Sequence, residues 1–470
     1  MSFVTLQYLA FFIVVFVVYW HLQRKAQNGL LLIASWYFYS CWDYRFLSLI
    51  IITTTLDFIV GQKIDASDRV RVRRGWLALS IVVNLGILFY FKYCNFFIGS
   101  FVSLANSLGW PLSQPLLHII LPVGVSFYTF QSLSYSFDIY KKDLKPTRSY
   151  IDYAAFVAFF PQLVAGPIVR AREFLYQLDV ERHFDGRMFE QGLNRFIYGM
   201  VKKALVADVL GLHVVDPIFA DPAAHSPATL WLGMLAYMVQ IYADFSGYSN
   251  MAIGSAMMLG FTLPENFRFP YLAINISDFW RRWHMTMSRF FRDYVYIPLG
   301  GNRVSELKTY RNSISTTLVS GLWHGANWTF VVWGLLHGIF TVTYHFYTRH
   351  FGEFRRPGRL TRVWCSWLFT NFLVGIAFLI FRTPNFSIAS EYISSMFVGT
   401  GTQTIELTWL IGFCFLVFAV DHLYGWAEER KLKILTLSQP WMRGAFYACI
   451  LVFLFNFVPK EANPFIYFQF

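Results

Sequence analysis

Long apolar runs recur along this chain, and short basic clusters separate them. A run of about 20 apolar residues can cross the roughly 30 Å hydrocarbon core of a bilayer as a helix. In water, a chain with many such runs would have too little polar surface to cover them. Of the 470 residues, 56% are hydrophobic and only 14% charged, whereas a soluble surface needs roughly 25% charge or more. Soluble-enzyme, disordered and fibrous classes are therefore excluded. The expected fold is an all-α, polytopic helical membrane protein of about 10–12 membrane segments. Re-entrant helices around a central pore are included in that number, and residues 1–470 are read as a single membrane-embedded domain.

The first apolar run, Phe3 to Trp20, has no basic residue before it, and His21, Arg24 and Lys25 follow it. A cleaved signal peptide has the opposite polarity, so the reading is an uncleaved helix with its N-terminus outside. Further spans are predicted at 28–42, 45–61, 76–92, 117–136, 191–214, 228–260, 365–383, 406–424 and 444–458. Two apolar stretches are different. Residues 151–167 are interrupted by Pro161 and Gly166-Pro167, and 313–346 has basic clusters on both sides. Each reads as a dip or tight helix pair returning to its own side. Irregular backbone at membrane depth is tolerated where it is buried in protein or lines a watery cavity.

The basic residues test this scheme. Of the 39 Lys and Arg, 32 fall in the segments assigned to the inside, and the assigned outside loops 93–116, 216–227 and 384–405 contain none. That is the positive-inside pattern, and it accounts for the net charge of +12 without a nucleic-acid partner. Ten crossings place both termini outside. The five cysteines are scattered singly and read as small buried hydrophobes, so neither a disulfide nor a metal is expected.

Ionisable groups inside a membrane are costly and mark function by default. His324 is the best candidate, in Ser320-Gly321-Leu322-Trp323-His324-Gly325-Ala326-Asn327. Small residues around it let a backbone or substrate approach, and histidine suits acid–base work near neutral pH. The bland alternative is a histidine hydrogen-bonded between helices. His284 comes second, in the aromatic and arginine-rich segment 263–312, which reads either as an anchoring amphipathic helix in the interface plane or as the cytoplasmic floor of an active site, with arginines available for anionic groups. His337 lies thirteen residues past His324. On a continuous helix that is about 220° round, so it reads as packing. Asp244 needs a buried partner, and Lys202 or Lys203 can supply one. No phosphate-binding loop, nucleophile elbow or zinc-type spacing is present.

Four stretches then carry a resemblance: 160–167 (FPQLVAGP), 242–250 (YADFSGYSN), 278–301 (DFWRRWHMTMSRFFRDYVYIPLGG) and 320–338 (SGLWHGANWTFVVWGLLHG). In this order they resemble the membrane-bound O-acyltransferase family, most closely its alginate O-acetyltransferase-like branch. The likeness runs over almost the whole chain. Asn250 departs from it, since related sequences often carry Asp there.

The resemblance implies transfer of an acetyl group from a cytoplasmic thioester, with acetyl-CoA the expected donor and no bound cofactor. The acceptor is an extracytoplasmic polysaccharide, reached through a periplasmic SGNH-type partner, and membrane lipid is the remaining contact. His324 matches the family's catalytic histidine, and His284 matches a second position that is often His or Asn. Arg281, Arg282, Ser288, Trp323 and Asn327 are the expected substrate-binding residues. The C-terminal tail, 463–470, resembles the motif of a small partner peptide in D-alanylation systems, which makes Tyr467 a candidate acyl carrier. D-alanyl transfer and a non-catalytic export channel are the rival readings. A channel of the transporter type would carry internal repeats, and none is seen.

Overall fold

The computed structural model describes residues 1–113, 115, 117, 119–164, 166–352, 360–432, 444–445, 447–450 and 452–453. The described chain is helical, apart from one isolated bridge between His225 and Gln403. It falls into two compact units, residues 1–196 with 251–264 and residues 197–250 with 265–470.

Among the described residues, five helical runs are long and apolar enough to cross a membrane: Arg24–Asp65, Val70–Ser107, Trp328–Phe351, Leu360–Arg382 and Trp409–Glu429. Many large apolar side chains on these runs are exposed, among them Ile33, Ile52, Val82, Trp364, Leu368 and Leu416. Such a surface is stable only against lipid. The chain is a polytopic helical membrane protein.

The first unit is organised around a helix with no polar face. Val125–Tyr140 buries fourteen of its sixteen residues. It packs against Leu47–Asp65 and Val70–Leu88. Serines and Gln131 give it hydrogen-bonding groups without charge. The buried carboxylate of Asp57 accepts from Ser80 Oγ at 2.5 Å and Asn84 Nδ2 at 2.8 Å, so neutral donors satisfy it. Gly124 opens this helix at φ +75°, and a Cβ there would press on the Leu163 carbonyl at 2.7 Å. The dip expected at 151–167 is a broken pair, Tyr150–Ala158 and Phe160–Leu163.

The second unit is built on a hairpin of Glu306–His324 and Trp328–Phe351. Glycines set its closeness. A Cβ on Gly321 would run into the Phe330 carbonyl, and one on Gly334 into the Thr317 carbonyl. Gly338 sits over Thr317 Oγ1, where a Cβ would stand at 2.5 Å. Charged pairs hold the remaining helices. Lys203 Nζ lies 2.7 Å from Asp208 and 2.6 Å from Asp244, and Lys202 Nζ lies 3.1 Å from Asp421. Asp244 thus has the lysine partner that its burial required. Both lysines lie in a π-helical stretch, Val201–Ala207, where the wider turn re-aims side chains.

Several expectations are corrected. The loop assigned to 93–116 is helical over Cys94–Ser107, and that assigned to 384–405 is helical over Phe386–Val398. Each helix is shorter than the roughly 20 residues of a full crossing, so a count of spans left it in a loop. The span placed at 117–136 begins its helix only at Val125, after Pro122 and Gly124. Segment 263–312 is not one amphipathic helix. It breaks into Ile276–Arg282, Met285–Phe291 and the π-helical Arg292–Tyr296. Of the cysteines only Cys414 is buried; Cys41, Cys365 and Cys449 are exposed and Cys94 is intermediate. A thiol is apolar enough for a lipid-facing surface. Tyr467 and the tail 463–470 lie outside the described residues.

The hairpin makes a direct test of packing. Gly334→Val forces a branched side chain into the Thr317 backbone and should destabilise the protein by about 3 kcal/mol. Gly29→Ala, where nothing lies within 4 Å, should stabilise its helix by up to about 1 kcal/mol. Thermal unfolding of the purified variants in detergent checks both directions.

Candidate active site

His324 is the last residue of the first hairpin helix, and the chain turns through Gly325 and Ala326. The turn ends because Asn327 caps the second helix, its Oδ1 accepting from Thr329 N at 3.1 Å. The same side chain donates to the Pro384 carbonyl at 2.8 Å. Gly325 is required by contact, since a Cβ there would overlap the Phe330 ring. The result is a histidine at a helix end, buried at 2% exposure. Three aromatic rings meet it edge-on, Trp323 at 5.0 Å, Trp333 at 4.9 Å and Phe381 at 5.4 Å.

This turn also brings in a residue the sequence reading set aside. With the helix broken at Gly325, the 220° argument no longer applies. His337 stands one turn beyond Trp333, at 4.6 Å ring to ring, and Trp280 covers it at 4.9 Å. Trp333 therefore touches both His324 and His337. Neither ring nitrogen of His337 has a hydrogen-bond partner among the described residues.

His284 occupies the break between Ile276–Arg282 and Met285–Phe291. Its backbone is left-handed, φ 40° and ψ 54°, a region that histidine tolerates better than most residues. Local hydrogen bonds hold it there: Met285 N donates to the Asn266 carbonyl at 2.9 Å, and Arg268 N to the Arg282 carbonyl at 2.9 Å. The imidazole is fully buried. Phe245 meets it edge-on at 4.7 Å and Trp323 lies 6.0 Å away. Trp323 is thus in ring contact with both candidate histidines. Burial alone pushes the His284 imidazole down to about 3.

A cleft of about 300 Å³ opens beside this group. Trp280 and Trp333 form its aromatic wall, Ser288 and Ser320 its hydroxyl floor, and Arg281 and Arg292 its charged part. The expected substrate residues separate here. Arg281 and Ser288 line the cleft. Arg282 is directed elsewhere, its Nη1 lying 2.5 Å from Glu429 and its Nε 3.1 Å from Asp278. Trp323 stands between the histidines, and Asn327 caps a helix. Arg292 is paired with Asp293 at 2.6 Å, whereas Arg281 has no ion-pair partner among the described residues.

Sequence reasoning missed Asn266. Its Oδ1 lies 3.0 Å from His284 Nδ1, and it is itself buried at 1% exposure. In Pro264-Glu265-Asn266-Phe267 an asparagine looks like an ordinary turn residue. Nothing local to the sequence tied it to a histidine eighteen positions away.

Three buried histidines linked by aromatic rings, beside a cleft that carries an uncommitted arginine, can handle protons near an anionic ligand. Comparison with known proteins narrows the chemistry. Residues 144–383 match the membrane-bound O-acyltransferase family. The chain is 42% identical to the probable alginate O-acetylase AlgI of Pseudomonas putida, over 85% of this chain and 81% of that protein. It is 38% identical to the peptidoglycan O-acetyltransferase of Helicobacter pylori, over 97% of this chain and 88% of that one. The teichoic acid D-alanyltransferase of Bacillus subtilis is 28% identical over 58% of this chain and 72% of its own length.

Buried His284 makes stability depend on pH. Above its ordinary value of 6.5 the imidazole is neutral whether folded or unfolded. Below that value the unfolded chain takes up a proton that the folded one refuses until about 3. Stability is therefore full above 6.5 and falls as pH drops towards 3, by about 1.4 kcal/mol per pH unit. His284→Asn, which keeps a residue suited to left-handed backbone, should remove about 1.4 kcal/mol of the loss seen between about pH 7.5 and about pH 5.5. Thermal melts of both proteins at the two values measure the difference.

Proposed function

The chain belongs to the membrane-bound O-acyltransferase family, and from that premise we propose that it passes acetyl groups from a cytoplasmic thioester to an extracytoplasmic polysaccharide. Acyl transfer in the membrane is the family's chemistry. The acetyl group and the polymer are suggested by relatives named for alginate and peptidoglycan O-acetylation. The observation that carries the site assignment is the placement of His324 at the hairpin turn, held by Trp323 and Trp333, with Trp333 also walling the cleft.

In this reading His324 is the catalytic base. The acceptor O–H bond breaks and its proton goes to an imidazole nitrogen. The freed oxygen pair forms the C–O bond to the acyl carbon, the C–S bond of the thioester breaks, and the thiolate leaves. The imidazolium returns its proton to that sulfur, so thioester and alcohol become ester and thiol. Arg281 is suited to an anionic donor such as acetyl-CoA, and Ser288 and Ser320 offer hydroxyls to its amide-bearing arm. A dry aromatic surround strengthens each of these polar contacts. The same reading places both termini outside an inner membrane and passes the acetyl group to a periplasmic SGNH-type partner.

D-alanyl transfer is the alternative that the Bacillus relative favours. The choice of donor separates the two: acetyl-CoA in one case, a D-alanyl carrier protein in the other. His324→Ala should lower acetyl transfer to polymer by about 10²- to 10⁴-fold at unchanged protein level; a normal rate would remove His324 from the chemistry. For the tail, Tyr467→Phe keeps the ring and removes the nucleophilic hydroxyl. Loss of polymer acetylation in that variant supports the carrier role, and full activity reduces the tail to an anchor.

A further inference from the structure

The side chain of Asn266 lies in a hydrogen-bond set whose directions can be assigned. The Thr286 backbone N–H can only donate, and it reaches Asn266 Oδ1 at 3.4 Å, with Thr286 Oγ1 donating to the same oxygen at 2.9 Å. On the other side, Asn266 Nδ2 donates to Ser249 Oγ at 3.2 Å. The amide is therefore oriented with its oxygen towards His284, and an oxygen can only accept. Its neighbour at 3.0 Å is His284 Nδ1, which must carry a hydrogen. A neutral imidazole has one N–H, so Nε2 is bare. Nε2 is buried and has no hydrogen-bond partner among the described residues.

We infer that Asn266 is a positioning residue of the acyl-transfer site, holding His284 as the Nδ1–H tautomer so that Nε2 is kept as an open proton acceptor. This rests on the acyltransferase reading above. Packing alone does not account for the arrangement. A buried unpaired acceptor is costly, and here Asn266 fixes which of the two nitrogens is left open. The backbone adds to that cost by sitting in the left-handed region. His284 itself does not line the cleft, but it directly precedes the helix whose Met287 and Ser288 do, and two local penalties at such a place fit a site held for a ligand. The groups packed against the imidazole are Phe245, Phe267 and Trp323, all uncharged, and burial is the one cause acting on its basicity. The partner for Nε2 is a proton donor of the substrates, either the acceptor hydroxyl or an amide N–H of the thioester arm.

The direct test is nitrogen-15 NMR of the full-length protein in lipid nanodiscs, with labelled histidine and His284 assigned by its loss in His284→Asn. The expected signal is the Nδ1–H tautomer, and an Nε2–H signal overturns the inference whatever the activity. Kinetics then separate positioning from structure. Asn266→Leu should lower kcat by about 100-fold with the donor KM unchanged. Asn266→Asp keeps the accepting oxygen and should restore transfer relative to Asn266→Leu. Its carboxylate favours the protonated imidazole and should raise the acidic limb of the pH profile by about one unit. Equal activity loss in both variants, with that limb unmoved, overturns the inference. Absence of any acyl transfer by the wild-type protein with thioester donors defeats the functional reading instead, and the NMR result still decides the role of Asn266.

Discussion

The backbone contact between the two hairpin helices sets the candidate site. Gly321, Gly334 and Gly338 allow the helices to touch at carbonyl level, which ordinary side chains would prevent. That closeness forces the tight turn after His324, because there is no room for a long connection. It also sets which faces meet. Trp333 meets His324 edge-on, His337 meets the same indole edge-on from the next turn, and the indole becomes one wall of the cleft. If the helices were separated by the width of a leucine side chain, the histidine would face a gap instead of an aromatic box.

The electrostatics of the second unit divide into two groups. Lysines 202 and 203 are matched with carboxylates at distances of 3.1 Å or less. Breaking such a buried pair is costly, because it leaves an uncompensated charge, so these groups fix helices and are poorly placed to move protons. Among the described residues His284 and His337 have no such matched counter-ion and are enclosed by aromatic rings, and burial favours the neutral form of His284. The arginines divide similarly. Arg282 is committed to Asp278 and Glu429, while Arg281 lines the cleft. Adjacent arginines on one short helix thus have different tasks, one securing the segment and the other facing the cleft.

Much of this was legible in the sequence. Hydropathy gave the helical membrane class, because lipid leaves the backbone few options. The tight helix pair within 313–346 was legible as one of the two forms that stretch was read as, and the need of Asp244 for a lysine followed from burial alone. Helices at 94–107 and 386–398 fell in segments assigned to loops because each is shorter than a full crossing, and a count of spans leaves such helices unmarked. The angular separation of His337 from His324 assumed a continuous helix that a turn of three residues interrupts, whereas its reading as packing agrees with its burial among aromatic rings. Asn266 was invisible because its role depends on a contact across the chain, and its own neighbours suggest only a turn.

Position 284 shows how closely such a site constrains residue choice. Its backbone is left-handed, which disfavours branched and bulky residues and leaves glycine, asparagine, aspartate and histidine as the tolerant set. Asn266 presents an oxygen and therefore requires a donor, which glycine lacks and an ionised aspartate cannot be. Full burial among phenylalanine and tryptophan rings rejects a charge. Histidine and asparagine remain, the two residues that the family resemblance led one to expect there. Asparagine uses its N–H groups to meet the structural demand and leaves an amide oxygen, which is a hydrogen-bond acceptor but hardly a base. Histidine meets the same demand with Nδ1 and still has a basic nitrogen to spare. The backbone and Asn266 explain why the choice is so narrow, and the spare nitrogen gives this chain's histidine a use that asparagine could not have.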